Sequence, residues 1–227
     1  MRLRLSALLL LSVLVLGVTA CGGDDEESAG ETTTAGTTTT APSENGGCNP
    51  VTPPTLSGDD PKKPTKALDP AKRYRLIFAT NCGIFTIQLD QKLAPKTAAS
   101  LVSLVEQKFF NGVTFHRVVP GFVIQGGDPT GTGTGGPGYQ TVDPPPKDAT
   151  YTKGIVAMAK TLNEAPGTAG SQFFIVTGAD AGLPPDYAIV GKVVSGEDTI
   201  AAIDALGTGD GPPSEPVVID KVTIEVK

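Results

Sequence analysis

The chain has 227 residues, with 18 Lys and Arg against 24 Asp and Glu, a formal charge of −6 and no tryptophan. The first 20 residues contribute Arg2 and Arg4 and no acid, which leaves −8 for the remainder. Such a chain lacks the basic surface that phosphate neutralisation requires, so nucleic acid is excluded as a partner and an anionic bilayer would not hold it by charge.

Arg2 and Arg4 are followed by an apolar run from Leu8 to Leu16 and then by Val18-Thr19-Ala20-Cys21. A basic start, an apolar centre and small residues before a cut predict a secretory signal peptide over residues 1–20. The apolar run is shorter than the ~20 residues of a permanent membrane-spanning helix. Val18–Cys21 resembles a bacterial lipobox. That makes Cys21 the lipidation site of a membrane-anchored lipoprotein carrying palmitate-type chains. The alternative is an ordinary signal peptide in which Cys21 is incidental. A single acyl chain binds weakly, so stable anchoring takes several. The expected location is the outer face of the cytoplasmic membrane, or an outer membrane if the organism has one.

Residues 21–70 read as a disordered tether. From Gly22 to Ala41 there is no large apolar residue, and from Pro50 to Pro70 the chain is rich in Pro and Lys. Neither stretch buries enough apolar surface to offset its ordering entropy. A coil of about 50 residues reaches roughly 40 Å. With Cys21 acylated, Cys48 and Cys82 remain. In an exported protein they are candidates for a disulfide; the alternative is two unpaired cysteines, with Cys82 a small buried hydrophobe.

The folded domain is expected over residues 71–227. Tyr74–Thr80 and Ile84–Leu89 are β-branched and aromatic runs around Asn81-Cys82-Gly83, a hairpin signal. Pro95 opens a helix in which Ala98, Leu101, Val102 and Val105 fall on one face, and Asn111-Gly112 stops it. Short strands are predicted around Thr114–Val118, Val123–Gln125, Ile155–Ala159 and Phe173–Thr177. A second helix fits Glu197–Leu206, with Ser195 and Asp198 placed to cap it. Val222, Ile224 and Val226 alternate as a last, half-buried strand. The pattern predicts a mainly β fold, a closed antiparallel barrel plugged at its ends by two helices.

Three local patterns have unremarkable readings. Gly131, Gly133 and Gly136 match a dinucleotide-binding spacing, but Pro137 follows instead of a helix, which favours a structural loop. His116 is the only histidine. No His/Cys cluster with ligand spacing surrounds it, so no metal is expected. A triad with Ser171 lacks the nucleophile elbow. A histidine packed beside a site is the plainer reading. Phe173 and Phe174, as strand neighbours, point to opposite faces, one to the core and the other to a groove.

Two runs carry the chemistry: Phe-His-Arg-Val-Val-Pro-Gly-Phe-Val-Ile-Gln-Gly-Gly-Asp over 115–128 and Gly-Ser-Gln-Phe-Phe over 170–174. One cation, one amide and apolar rings, without a nucleophile, suit a reaction that leaves no covalent bond changed. The two segments resemble the signatures of the cyclophilins, peptidyl-prolyl cis-trans isomerases, and the likeness extends from Tyr74 to Val226. It implies a closed eight-stranded antiparallel β-barrel capped by two α-helices, a monomer, and no cofactor. It implies that Arg117 is the catalytic arginine, Phe122 the floor of a proline pocket, and Gln125 the amide that steadies the arginine. Val123, Gly133, Ala159, Lys160, Thr161, Gln172, Phe174, Leu183 and Tyr187 fall at substrate-binding positions, the backbone of 159–161 pairing with an extended peptide. Departures are Val123 for methionine, Lys160 for asparagine, Leu183 for tryptophan and Tyr187 for histidine. Without the indole donor, cyclosporin binding is expected to be weak. The implied function is acceleration of X-Pro rotation in exported or cell-envelope proteins. The alternative is a non-catalytic chaperone or scaffold that binds proline-containing chains.

Overall fold

The computed structural model describes residues 47–56 and 60–227. The expected signal peptide, the Cys21 lipidation site and the first half of the tether lie outside these residues.

β1 (Tyr74–Thr80) and β2 (Gly83–Leu89) form the first hairpin. Their apolar residues alternate, so Leu76, Phe78, Phe85, Ile87 and Leu89 turn inward together and are buried. α1 (Pro95–Glu106) begins on Pro95 and buries Ala98, Leu101, Val102 and Val105 on one face. No side chain of its own caps it. The Asp143 carboxylate instead accepts from Thr97 N and Thr97 Oγ1, both at 2.7 Å, satisfying donors of the first turn.

β3 (Arg117–Val119) and β4 (Val123–Gly126) form the second hairpin. Pro120 and Gly121 make its corner. Gly121 has φ +67° and the Phe122 N–H donates to Val119 O at 3.0 Å, as in a type II turn, where Pro presets the first corner and glycine accepts the second. β5 (Thr141–Val142), β6 (Ile155–Met158), β7 (Thr168–Ala169), β8 (Phe173–Val176), β9 (Ile189–Ser195), α2 (Glu197–Asp204) and β10 (Ile219–Val226) complete the order.

Eight strands form one antiparallel sheet in the order β10-β1-β2-β9-β6-β8-β4-β3, and β5 pairs with β7 in a separate ribbon. The sheet curves around a core rich in phenylalanine, where Phe78, Phe85, Phe110, Phe115 and Phe173 meet. It is an open half-barrel, not the closed barrel expected. β3 and β10 are its edges, and β3 has only three residues. The chain between α2 and β10 contains Pro212, Pro213 and Pro216, which have no N–H to give to a ladder. Single bonds span the seam instead, including Val118 N to Gly211 O (2.8 Å), Phe115 N to Val217 O (3.0 Å) and Gly112 N to Ile219 O (2.7 Å).

Other boundaries differ. β3 starts at Arg117; Thr114 makes only isolated bridges, to Asp128 and Val218. α2 ends at Asp204, and its N-cap is Gly196 at φ +86° with no side-chain cap. The left-handed entry thus replaces the expected Ser195–Asp198 interaction, while Glu197 and Asp198 sit favourably in the first turn.

The second half of the expected tether does not run free. Residues 47–56 and 60–70 form no helix or strand, but they lie on the domain. Cys48 is disulfide-bonded to Cys82. Asn49 N donates to Asn81 O at 2.8 Å, and Asn81 Nδ2 returns a bond to Asn49 O at 2.7 Å. Leu56 and Leu68 pack against the main core. Lys62 exchanges its backbone N–H and C=O with the Gln107 amide at 2.8 and 3.0 Å. A proline-rich chain has little backbone entropy to lose, so two leucines and a covalent staple are sufficient to dock it.

Candidate active site

The β3–β4 register pairs Arg117 with Gln125 and Val119 with Val123. These side chains share one face, while Val118 and Ile124 enter the main core from the other. Arg117 Nε and Nη2 donate to the two Asp210 carboxylate oxygens at 2.5 and 3.0 Å, and Nη1 donates to Gln125 Oε1 at 3.3 Å. Arg117 Cζ stands 6.0 Å from the centre of the Phe122 ring. Gln125 Nε2 donates to Gln172 Oε1 at 3.1 Å, and Gln172 Nε2 donates to the carbonyls of Gly133 and Gly135, both at 2.9 Å. The Asp128 carboxylate receives the N–H groups of Gly133 (2.6 Å) and Gly135 (3.1 Å). A continuous hydrogen-bonded line therefore runs from Asp210 through Arg117, Gln125 and Gln172 to the glycine loop and Asp128.

The glycine run is a structural loop. Its N–H groups are turned onto a carboxylate of this chain, and a Cβ at Gly135 would lie 2.1 Å from Asp128 Oδ1. Burial pushes the Asp128 carboxyl up, but hydrogen bonds from Thr130, Gly135 and Gly133 outweigh it and hold the group below its ordinary value. His116 is packed beside the site, with Nε2 3.4 Å from Gln125 Nε2 and Nδ1 buried without a partner. Burial lowers its pKa, Asp128 opposes this and Arg117 reinforces it, so the ring is neutral at pH 7. Ser171 is fully buried and donates to Gly127 O at 2.7 Å, which removes it as a nucleophile.

Phe173 and Phe174 part as strand neighbours do. Phe173 joins the main core, and Phe174 joins a second cluster with Val123, Tyr151, Ala157, Val176 and Ile189. Phe122, Ala159, Leu183 and Tyr187 are half-buried against this second cluster. The structure thus brings the expected apolar residues together at the foot of the Arg117 line. Phe174 and Tyr187 meet edge to face at 5.6 Å between ring centres. Tyr151, missed in the sequence, anchors this wall: its hydroxyl donates to Tyr187 O (2.8 Å) and accepts from Tyr187 N (3.0 Å). Burial raises its pKa, so it remains a phenol.

Two N–H groups of the stretch 159–161 have partners within the chain. The Ala159 N–H is given to Gln172 O at 2.9 Å and the Thr161 N–H to Glu164 Oε2 at 2.6 Å. Glu164 also takes Thr161 Oγ1 (3.0 Å) and the Gln140 amide. The Thr161 N–H bond, against a smaller effect of burial, holds its carboxyl below the usual range. Lys160 turns inward; its ammonium pairs with Asp186 Oδ2 at 2.5 Å and donates to Thr161 O (3.2 Å) and Glu164 O (3.1 Å). A groove of about 770 Å³ opens beside these residues, bordered by Gln125, Gly133, Ala159, Thr161, Glu164 and Gln172. Asp60, from the docked strap, also borders it. Asp210 and Asp186 were missed because no local spacing ties them to their partners: Asp210 is 93 residues from Arg117. Among the described residues, no group of three or more His, Cys, Asp or Glu is placed to hold a metal ion.

A mainly β half-barrel with two helices, carrying an arginine and two glutamines beside a second apolar cluster, defines a cyclophilin-like domain. The family model described as cyclophilin type peptidyl-prolyl cis-trans isomerase/CLD matches residues 75–224. The chain belongs to this family of peptidyl-prolyl cis-trans isomerases. It is 41% identical over 165 residues to the probable peptidyl-prolyl cis-trans isomerase A of Mycobacterium leprae, covering 64% of this chain and 88% of that protein. It is 38% identical over 178 residues to peptidyl-prolyl cis-trans isomerase B of Streptomyces anulatus, covering 69% of this chain and 99% of that one. A solved Cryptosporidium parvum cyclophilin type isomerase superposes with a TM-score of 0.62 at 30% identity, covering 67% of this chain and 98% of that one. The same protein was also solved in the presence of the dipeptide Ala-Pro, with a TM-score of 0.61.

Proposed function

We propose that this domain accelerates rotation about X-Pro bonds in exported or cell-envelope polypeptides, acting as a monomer on extended proline-containing segments. The observation that carries the reading is Arg117, held by Asp210 and Gln125 with its guanidinium 6.0 Å from the Phe122 ring. Phe122, Val123, Phe174, Leu183 and Tyr187 form the slot for the proline ring.

The peptide barrier of about 18–20 kcal/mol comes from resonance of the nitrogen lone pair with the carbonyl. In the twisted transition state that pair localises on the prolyl nitrogen. A guanidinium N–H placed there donates a bond that the planar ground state accepts poorly, which is preferential binding of the transition state. Arginine suits this because it stays protonated and its fork is planar. A charged hydrogen bond contributes roughly 1.5–3 kcal/mol, whereas a 10⁵-fold acceleration needs about 7. The rest falls to the apolar slot, which holds the ring while the carbonyl side turns and favours the less polar twisted amide. No cofactor takes part.

The deciding experiment is two-dimensional exchange NMR on an Ala-Pro-containing tetrapeptide with wild type and Arg117→Ala. The wild type is expected to speed cis–trans exchange, and the variant to be at least about tenfold slower while its circular dichroism is unchanged. Binding with no change in exchange would make the domain the non-catalytic proline-peptide binder.

The placement outside the cytoplasm rests on residues 1–21 and on the Cys48–Cys82 disulfide, which suits an oxidising compartment. The lipobox-like Val18–Cys21 assigns the anchor to Cys21 and the location to the outer face of a membrane. Expression in a bacterial host is expected to give a detergent-partitioning protein with added mass at Cys21. Cys21→Ala is expected to abolish both, and an unmodified, soluble wild type would refute the anchor.

A further inference from the structure

We propose that Asp210 is a positioning residue for the reaction: its carboxylate grips Arg117 side-on and aims the end-on N–H groups of the guanidinium at the space beside Phe122. The inference rests on Arg117 being the group that grips the twisted amide. A guanidinium has five N–H bonds in a planar fork. Asp210 takes those on Nε (2.5 Å) and one on Nη2 (3.0 Å), and Gln125 takes one on Nη1 (3.3 Å). One N–H therefore remains on each of Nη1 and Nη2.

Asp210 is itself fixed to the strand it serves. Its neighbour Gly211 accepts from Val118 N at 2.8 Å, and Val118 follows Arg117 in β3. Ser214 N to Leu206 O (2.8 Å) and Gly207 N to Asp204 O (3.1 Å) close the loop on either side. An arginine side chain that froze only when substrate arrived would lose its rotamer freedom at that moment. A two-point, charge-assisted grip sets the geometry beforehand. Asp210 can do this without being desolvated, because its side chain is 67% exposed. The bond from Arg117 also holds its carboxyl below the ordinary aspartate value, so the grip persists at neutral pH.

The test compares Asp210→Ala, Asp210→Asn and Arg117→Ala with wild type in the full chain, by isomerase kinetics and by the ¹⁵N–¹H resonance of Arg117 Nε. Both Asp210 variants are expected to keep the wild-type circular dichroism. In both, kcat is expected to fall about three- to tenfold while KM stays within about twofold. The Arg117 Hε resonance is expected to lose its downfield shift and its protection from exchange. Wild-type kcat in both Asp210 variants, with Arg117→Ala impaired, would overturn the role of Asp210 alone. A rise in kcat/KM would also overturn it, by making Asp210 a competitor for the guanidinium. Wild-type turnover in Arg117→Ala would overturn the reading of Arg117 itself, and Asp210 with it.

Discussion

Lys160 and Asp186 form an ion pair behind the apolar site: Nζ lies 2.5 Å from Oδ2, and only 2% of the lysine side chain is exposed. The ammonium also lies 5.6 Å from the centre of the Tyr187 ring and donates to two carbonyls of its own loop. The pair joins the loop after β6 to the turn that carries Tyr187, so a lysine expected to face substrate is held against the wall of the second cluster. Removing one partner leaves the other charge without its counterpart. Asp186→Asn is expected to destabilise the domain by about 2–4 kcal/mol, below the full figure for a buried pair because Asp186 is 31% exposed. Lys160→Met, which removes the charge and fills the space, is expected to cost less. Urea unfolding of both variants and of the double variant checks this; single costs that simply add in the double variant would mean that the pair is not coupled.

Phe122 and Phe173 belong to different clusters, and their removal is expected to have different consequences. Phe173 is 2% exposed and packs against Phe78, Phe110 and Phe115. Phe173→Ala is expected to cost about 3–5 kcal/mol in unfolding free energy. Phe122 is half-buried on the outer cluster at the end of a tight turn. Phe122→Ala is expected to lower kcat/KM by about tenfold or more at a stability loss of only about 1–2 kcal/mol. Thermal melts paired with isomerase kinetics separate the two; a large loss of stability with unchanged kinetics in Phe122→Ala would place that ring in the fold and outside the site.

The Cys48–Cys82 disulfide closes a loop of 34 residues. A cross-link of that span stabilises by roughly 3–4 kcal/mol through the unfolded chain. In a Cys21→Ser background, denatured but unreduced protein is expected to show no free thiol. Reduction is expected to lower the melting temperature and to expose the Asn49–Asn81 contacts to hydrogen exchange. Two reactive thiols before reduction would rule the bridge out.

What the sequence disclosed follows from how local each signal is. β1 and α1 were legible to the residue at their starts, because alternation, a 3.6-residue apolar stripe and Pro95 act within a few positions. The Arg117–Gln125 pair was legible because both lie in one hairpin, and the division of Phe173 from Phe174 follows from strand geometry alone. The β5–β7 ribbon has two residues in each strand, too few for any period. The open seam depends on three prolines failing to extend a ladder. The docked segments 47–56 and 60–70 look like coil in sequence because their anchors, chiefly Leu56, Leu68 and a disulfide whose partner is 34 residues away, leave no local pattern. Asp210 and Asp186 reach the site from loops whose composition says nothing about where they fold.

His116 offers a direct reading of the site's electrostatics, because it is the only histidine. Burial depresses its pKa; Asp128 pulls the other way and Arg117 adds to the depression. Its proton uptake in the folded state therefore falls below the ordinary value near 6.5, and a single imidazole NMR resonance is expected to titrate there. The sign for stability follows. The unfolded chain binds this proton more readily than the folded one, so His116 is neutral on stability well above pH 6.5 and costs stability as pH falls below it. Activity is expected to fall over the same acid range. An imidazolium has only donors to present, yet Nε2 faces the Gln125 amide nitrogen at 3.4 Å. Protonation would turn that amide and withdraw Oε1 from Arg117. His116→Asn is expected to flatten the acid limb of both profiles. An imidazole that titrates at or above 6.5, or an acid limb that survives the substitution, would remove His116 from the control of Gln125.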